Sequence, residues 1–492
     1  MMSEGPLNFT EPGCAGTSQD LQVRHQCDLA KQLENAGDYE EARLAFAGLW
    51  HKIGERPSIE GLTPATKAEL LLRVGSLSGW IGSAKQIADA QEFAKDLIAE
   101  SARIFASIGY YEKAVEAQTD LAICYWRAGA LDEANVWFQE ALSRATSVEN
   151  RVRILINKAI VEIFSNRLTE ALDNLGQAAP LLEQIDDHAT HGRYHMQRAI
   201  AFKRRGGSEN LDLALIENAA ASFHLEQARH TRYLARVENN IGFILMEFRR
   251  HDEALEHLNK AREIFVELKD SGSVAQVNET RARVLLAQGC YAEAEQAASA
   301  AVSVLEQGDE QSLLAEALTT HGIALAHLGH NEAAVATFSK GAEIAAQAGD
   351  RVSSARTRLL MLEHLKHHVP TADLFKLYLE ADEQIGTAAD SAVIEHLRTS
   401  ARATIEAAQR ALVISDDLFL GSSLREEVRR FEGELIKRAL EKSEGQVTNA
   451  ARILGITHQG LCEILNSRHK NLRLKPPRQR QRSLIIETTS RT

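Results

Sequence analysis

Ala254, Ala294 and Ala334 stand 40 residues apart, each in the same short setting. Asp252-Glu253 precedes the first, Gly289-Cys290-Tyr291-Ala292-Glu293 the second and Gly329-His330-Asn331-Glu332-Ala333 the third. The unit recurs upstream as Gly129-Ala130-Leu131-Asp132-Glu133-Ala134, followed by Phe138 and Ala141. Thr169-Glu170-Ala171 and Gly37-Asp38-Tyr39-Glu40-Glu41-Ala42 are further copies, and degenerate ones lie around Leu213-Ala214 and Ala88 to Ala94. A fixed period of this length restricts the chain to a linear array. One helix pair cannot bury its apolar face alone, so neighbouring pairs must stack. The anchor residues are alanine because two helices approach closely there. Abundant Ala, Leu and Glu with only 8 prolines in 492 residues make the array all-α.

The pattern resembles the tetratricopeptide repeat, with Leu121-Ala122, Tyr125, Gly129, Ala134, Phe138 and Ala141 matching its signature in one unit. The final consensus proline is mostly absent, and the period exceeds the minimal one of about 34 residues. The resemblance implies an α-solenoid of about eight helix pairs over residues 21–350. Residues 351–414 keep a helical pattern without the anchors. They are expected to cap the array, with Leu359, Leu360, Leu362 and Leu365 in a capping helix. Residues 1–20 are expected to be a disordered tail, and 415–423 a hinge.

In tetratricopeptide proteins the first helix of each pair lines a concave groove. Fourteen residues before each anchor stand Asp120, Asn157, Asn240, Thr280 and Thr320, all short and polar. Eighteen before, the row includes Arg153 and Arg236. The resemblance implies that these rows hold a protein or peptide partner, with Asn157 and Asn240 placed to bond a ligand backbone. The spacing is also similar to that of bacterial quorum-sensing repeat proteins, some of which dephosphorylate partners. No residue here stands out as their catalytic Gln or Glu.

The C-terminal stretch has different punctuation. Ser423-Leu424-Arg425-Glu426 has capping-box spacing. Apolar residues then recur at Leu424, Val428, Phe431, Leu435, Ala439 and Leu440, one greasy face of a helix. Gly445 is a stop signal, Ala450-Ala451 allows close packing, Gly455 supplies a turn, and Thr457 can cap a third helix with Leu461, Ile464 and Leu465 inside. A short helix, a glycine turn and a second helix make the helix-turn-helix plan. The segment resembles the DNA-binding domain of the Fis family, also carried by bacterial enhancer-binding regulators, with Ala450-Ala451-Arg452-Ile453-Leu454-Gly455-Ile456 as its specific part. The resemblance implies a three-helix domain over residues 424–472 that binds DNA and forms a homodimer through its long helix.

The recognition helix departs from the family. Where Fis-like helices usually carry an early Arg, then Thr-Leu-Arg and another cation, this chain has His458, Gly460-Leu461-Cys462 and Glu463. Basic charge lies downstream at Arg468, Lys470, Arg473, Lys475, Arg478, Arg480 and Arg482, with no acid between Glu463 and Glu487. These cations, the last five in a basic tail over 473–492, are expected to neutralise phosphates. Thr457 is expected to lie at the DNA, and His458, Gln459 and Asn466 at the bases, since Gln and Asn pair bidentately with adenine. Residues 424–492 hold 15 Lys and Arg against 8 Asp and Glu, and the whole chain stands at −12, which leaves −19 for residues 1–423. An acidic body repels DNA, so only the C-terminal end can attract it.

Cys14, Cys27, Cys124, Cys290 and Cys462 show no CxxC spacing, so neither a zinc site nor a disulfide framework is expected. The N-terminus lacks a secretory signal, and no run approaches the roughly 18 apolar residues of a spanning helix. A cytoplasmic protein without membrane contact is expected. There is no GxxxxGK[ST], GxGxxG, HExxH or GxSxG. The expectation is therefore a DNA-binding transcription regulator that is not an enzyme and needs no cofactor. Two alternatives stay open: a protein–protein scaffold with a vestigial or dimerising Fis-like module, and a nucleic-acid binder without sequence preference.

Overall fold

The computed structural model describes residues 18–369, 371–385, 399, 424–443 and 445–472. It forms two compact units, residues 1–407 and 408–492. Among the described residues there is no strand.

The first unit is a solenoid of tetratricopeptide type. Sixteen helices pair in chain order: α1 (Ser18–Ala36) with α2 (Tyr39–Leu44), α3 (Pro64–Lys85) with α4 (Ala90–Ser107), α5 (Tyr111–Arg127) with α6 (Leu131–Arg144), α7 (Val148–Phe164) with α8 (Leu168–Leu182). Then follow α9 (His188–Arg205) with α10 (Ser208–Gln227), α11 (Thr231–Glu247) with α12 (His251–Glu267), α13 (Ser271–Gln288) with α14 (Tyr291–Leu305), and α15 (Gln311–His327) with α16 (Asn331–Gln347). The first helix starts inside the stretch expected to be a tail. Helices α17 (Arg351–Leu365) and α18 (Thr371–Ile385) continue the stack, with Leu359, Leu362 and Leu365 buried.

The anchors explain the packing. Ala42, Ala94, Ala134, Ala171, Ala214, Ala254, Ala294 and Ala334 are all fully buried. Across from them α3, α9, α11 and α15 carry glycine where the paired helices meet. A Cβ on Gly242 would stand 2.7 Å from Leu258 Cγ and 3.1 Å from the Ala254 carbonyl oxygen. A backbone oxygen cannot step aside, so Gly242→Val should cost about 1–3 kcal/mol through overpacking. Urea unfolding with an unchanged m-value checks this. Side-chain caps fix several starts: Ser147 Oγ accepts from Asn150 N at 3.2 Å and Asp270 Oδ1 from Ser273 N at 2.9 Å.

The array does not stay open. Its first pairs meet the later ones after a turn of superhelix. Ser271 Oγ donates to the Ala84 carbonyl at 3.0 Å, and Arg232 Nε to the Gly37 carbonyl at 3.2 Å. Asp309 accepts from the backbone N–H groups of Asp89 at 3.0 Å and Gln91 at 3.1 Å. Gly272 lets this closure happen, since a Cβ there would stand 2.5 Å from the Ser83 carbonyl oxygen.

The second unit holds α19 (Leu424–Lys442), α20 (Val447–Ile453) and α21 (His458–Ser467), then a 3-10 turn at Lys470–Leu472. Gly445 and Gly455 take φ of +82° and +66° at the two turns, which glycine adopts without a Cβ penalty. The core is Ile436, Ala439, Leu440, Ala450, Ala451, Leu461 and Leu465. The greasy face read from the sequence is therefore split. Ala439 and Leu440 go inside with Ile436, while Phe431 is 63% and Leu435 43% exposed.

Candidate nucleic-acid interface and inner cavity

Helix α21 is fixed from below and presents its other face. Thr457 Oγ1 accepts from Gly460 N at 3.1 Å, so this hydroxyl is committed to the cap. Leu461 and Leu465 are buried, while His458, Gln459, Glu463 and Asn466 are exposed. Gln459, Glu463 and Asn466 follow i, i+4, i+7 spacing, which puts them on one side of the helix. His458 Nε2 lies 3.7 Å from Cys462 Sγ. Both amides are available for bidentate bonds, and Glu463 between them can accept from a cytosine amino group.

The cations divide. Arg468 is tied back to α19: its guanidinium is 3.3 Å from Glu432 Oε1, and its carbonyl accepts from Arg429 Nη2 at 2.7 Å. Lys470 is exposed. Arg473, Lys475, Arg478, Arg480 and Arg482 lie outside the described residues. Arg452 on α20 is an exposed cation that pattern reading passed over. So was a lock onto α19: His469 is buried with Nε2 3.0 Å from Glu432 Oε2, and Gly433 leaves room, since a Cβ there would stand 3.0 Å from the His469 ring. A glycine inside a long helix was the available signal.

In the first unit the closed superhelix surrounds a cavity of ≈ 510 Å³. Of the seven residues expected in a groove, Arg236, Asn240 and Thr280 line it, and the other four do not. Asp120 accepts from Ser76 Oγ at 2.7 Å and is paired with Arg153. Asn157 Nδ2 donates to the Arg153 carbonyl at 2.8 Å, and its oxygen accepts from Arg193 at 3.1 Å. Thr320 Oγ1 donates to Glu279 at 2.6 Å. These four are held in polar links between and along helices. Spacing alone placed the seven in two rows along the first helices, whereas closure selects which part of each row meets open space.

The wall also holds Trp80, Trp126, Phe164 and Phe243 with six Lys or Arg and five carboxylates, so it is both aromatic and charged. Arg127 lies over the Trp80 ring at 3.6 Å, and burial lowers its pKa. Arg204 pairs with Glu316 at 2.5 Å. Burial would raise the Glu316 carboxyl, but Arg204 and Arg283 hold it at about 2. Lys203 sits 4.3 Å from the Phe243 ring centre. Burial first, then Arg204 and Arg283, lower its ammonium to about 8 against the pull of Glu316 and Glu279. A lysine whose folded pKa is depressed binds its proton less tightly than the unfolded chain does. Between about pH 8 and the unperturbed lysine value the unfolded state therefore holds the extra proton, and stability should rise with pH there. Melting curves of parent and Lys203→Met across that range isolate the contribution, which the variant should lack.

Residues 427–463 match the family model of the bacterial regulatory proteins of the Fis family. No curated protein matches the chain. Among solved structures, it is similar to a Rap protein complexed with competence and sporulation factor, at 13% identity over 79% of this chain and 97% of that one, with a TM-score of 0.44. Yeast Tom70 matches at 14% identity over 82% and 85% of the two chains, with a TM-score of 0.40. A signal transduction ATPase with a tetratricopeptide repeat sensor from Pyrococcus horikoshii matches at 14% over 79% and 68%, also with a TM-score of 0.40.

Proposed function

We propose that this chain, a tetratricopeptide-type solenoid with a Fis-type helix-turn-helix at its C-terminal end, is a transcription regulator that binds DNA in the bacterial cytoplasm and receives an effector in its solenoid. The observation that carries the reading is the Fis match at residues 427–463 on a folded helix-turn-helix whose third helix offers Gln459 and Asn466 outward. The solenoid adds binding, and the reading assigns no catalysis to it. Among the described residues no helix is long and apolar enough to cross a membrane. A gel shift of the full chain against genomic fragments, with competitor DNA, tests the reading. Retained shifts on a subset of fragments support a regulator. Loss of every shift to competitor favours the binder without sequence preference, and no shift at all favours the scaffold.

The exposed Phe431 and Leu435 support a homodimer through α19. Apolar side chains of this size on one helix face gain by covering each other, and a two-fold protein reads two half-sites about one DNA turn apart. Light scattering at tens of micromolar should give twice the chain mass, and Phe431→Glu should return it to one. A parent monomer at that concentration contradicts the dimer.

A further inference from the structure

We propose that the cavity inside the coil binds a small organic anion with a flat apolar body. The inference rests on reading the solenoid as the effector-receiving part of the chain.

Size comes first. A space of ≈ 510 Å³ falls in the range of small-molecule sites. The closing contacts at Asp309, Ser271 and Arg232 fence it on the side where an open solenoid would admit a long chain.

Charge comes next. Arg127, Lys203, Arg236 and Arg356 all line the cavity, and none has a carboxylate within ion-pair distance among the described residues. The other two lining cations, Arg204 and Arg283, are paired with Glu316 and Glu279. Arg127 is only 7% exposed, yet its Nε has no hydrogen-bond partner, and neither has Arg236 Nε. Leaving buried donors and charges unmatched is costly, so proteins seldom gather them without a use. Glu310, the carboxylate facing Arg127 and Arg236, is itself pushed toward its neutral form by burial. The excess is therefore cationic in a body that is acidic overall.

Two further features shape the ligand. Asn166 Nδ2, Asn239 Oδ1 and Ser312 Oγ are buried, unpartnered and in the same wall, ready to bond its polar atoms. Trp126 and Phe164, with ring centres 5.7 Å apart, and Phe243 supply flat apolar surface between the cations. An anion alone would gain nothing from this apolar surface, and a neutral aromatic would offer no charge to the unpaired cations.

The test uses the full-length chain and a matched pair of fluorescent probes. One is 8-anilinonaphthalene-1-sulfonate, and the other is N-phenyl-1-naphthylamine, the same rings without the charge. The sulfonate should bind at a single saturable site. Arg127→Gln with Arg236→Gln should weaken it about tenfold or more, as expected for lost charge-assisted bonds, and leave the neutral probe as it was. If the double variant fails to fold by circular dichroism, Lys203→Met decides in its place with the same pattern. Non-saturable uptake of the sulfonate, unchanged affinity in the folded variants, or equal losses for both probes would overturn the proposal. DNA shifts by the same preparations separate the two readings. Shifted DNA without the probe pattern removes the ligand class alone, and the probe pattern without shifted DNA removes the regulator alone.

Discussion

Arg73→Met should lower the unfolding free energy by about 3–5 kcal/mol, the range for breaking a buried ionic cluster by removing one partner. The Arg73 side chain is 3% exposed and lies 3.2 Å from Glu34, 3.1 Å from Glu69 and 2.5 Å from Glu116. It joins α1, α3 and α5 at the start of the array. Lys31 and Lys113 still reach Glu116 at 3.0 and 3.2 Å, so Glu34 suffers most. Burial already raises the Glu34 carboxyl in spite of Arg73, whereas Arg73 and Lys31 hold Glu116 well below the usual range against burial. Glu116 thus stabilises the fold above its unfolded pKa, and this is lost as pH falls through the folded value. Without Arg73 that gain shrinks and the cost of ionising Glu34 grows. The gap between parent and variant should therefore narrow on acidification, the Glu34 share above about pH 4.3, the unperturbed glutamate value, and the Glu116 share below it. Glu34→Gln added to Arg73→Met should recover part of the loss. Urea titrations at neutral and acidic pH measure all three. A gap that stayed constant with pH would mean the cluster is not ionised as described.

The second large effect concerns DNA. Neutralising Arg478, Arg480 and Arg482 should weaken every sequence alike and flatten the salt slope by up to about three units, since each phosphate contact contributes about 0.9. Between 50 and 200 mM salt the variant should then lose about 40-fold less affinity than the parent. Gln459→Ala should barely alter binding to random DNA, yet cost about 1–3 kcal/mol of discrimination at one base pair. The two changes separate positioning from reading. Equal weakening of random and cognate DNA by Gln459→Ala would shift the account to a binder without sequence preference.

The repeat was legible because its cause is local. A helix pair needs a small residue where it crosses, and Ala134, Ala254, Ala294 and Ala334 state that need at a readable spacing. Thr457 as a cap and Gly445 and Gly455 as turns were legible for the same reason. Closure of the superhelix was not. It depends on residues such as Asp89 and Asp309, more than two hundred positions apart, whose approach sums small rotations over every pair. The candidate site suffered accordingly. The row through Asp120, Asn157 and Thr320 points to one helix face, but Ser76, Arg193 and Glu279 occupy those side chains from neighbouring helices. Arg127 and Lys203 stand in no repeated column, so pattern reading gave no reason to place them in the cavity.

The central claim is that an acidic solenoid is coupled in one chain to a module that grips DNA. Fluorescence anisotropy of the full-length chain on a labelled duplex, across a series of salt concentrations, tests it most directly. The account predicts measurable binding at low salt, with log K falling linearly against log salt at a slope of several units. Absence of binding at low salt, or affinity indifferent to salt, would contradict it.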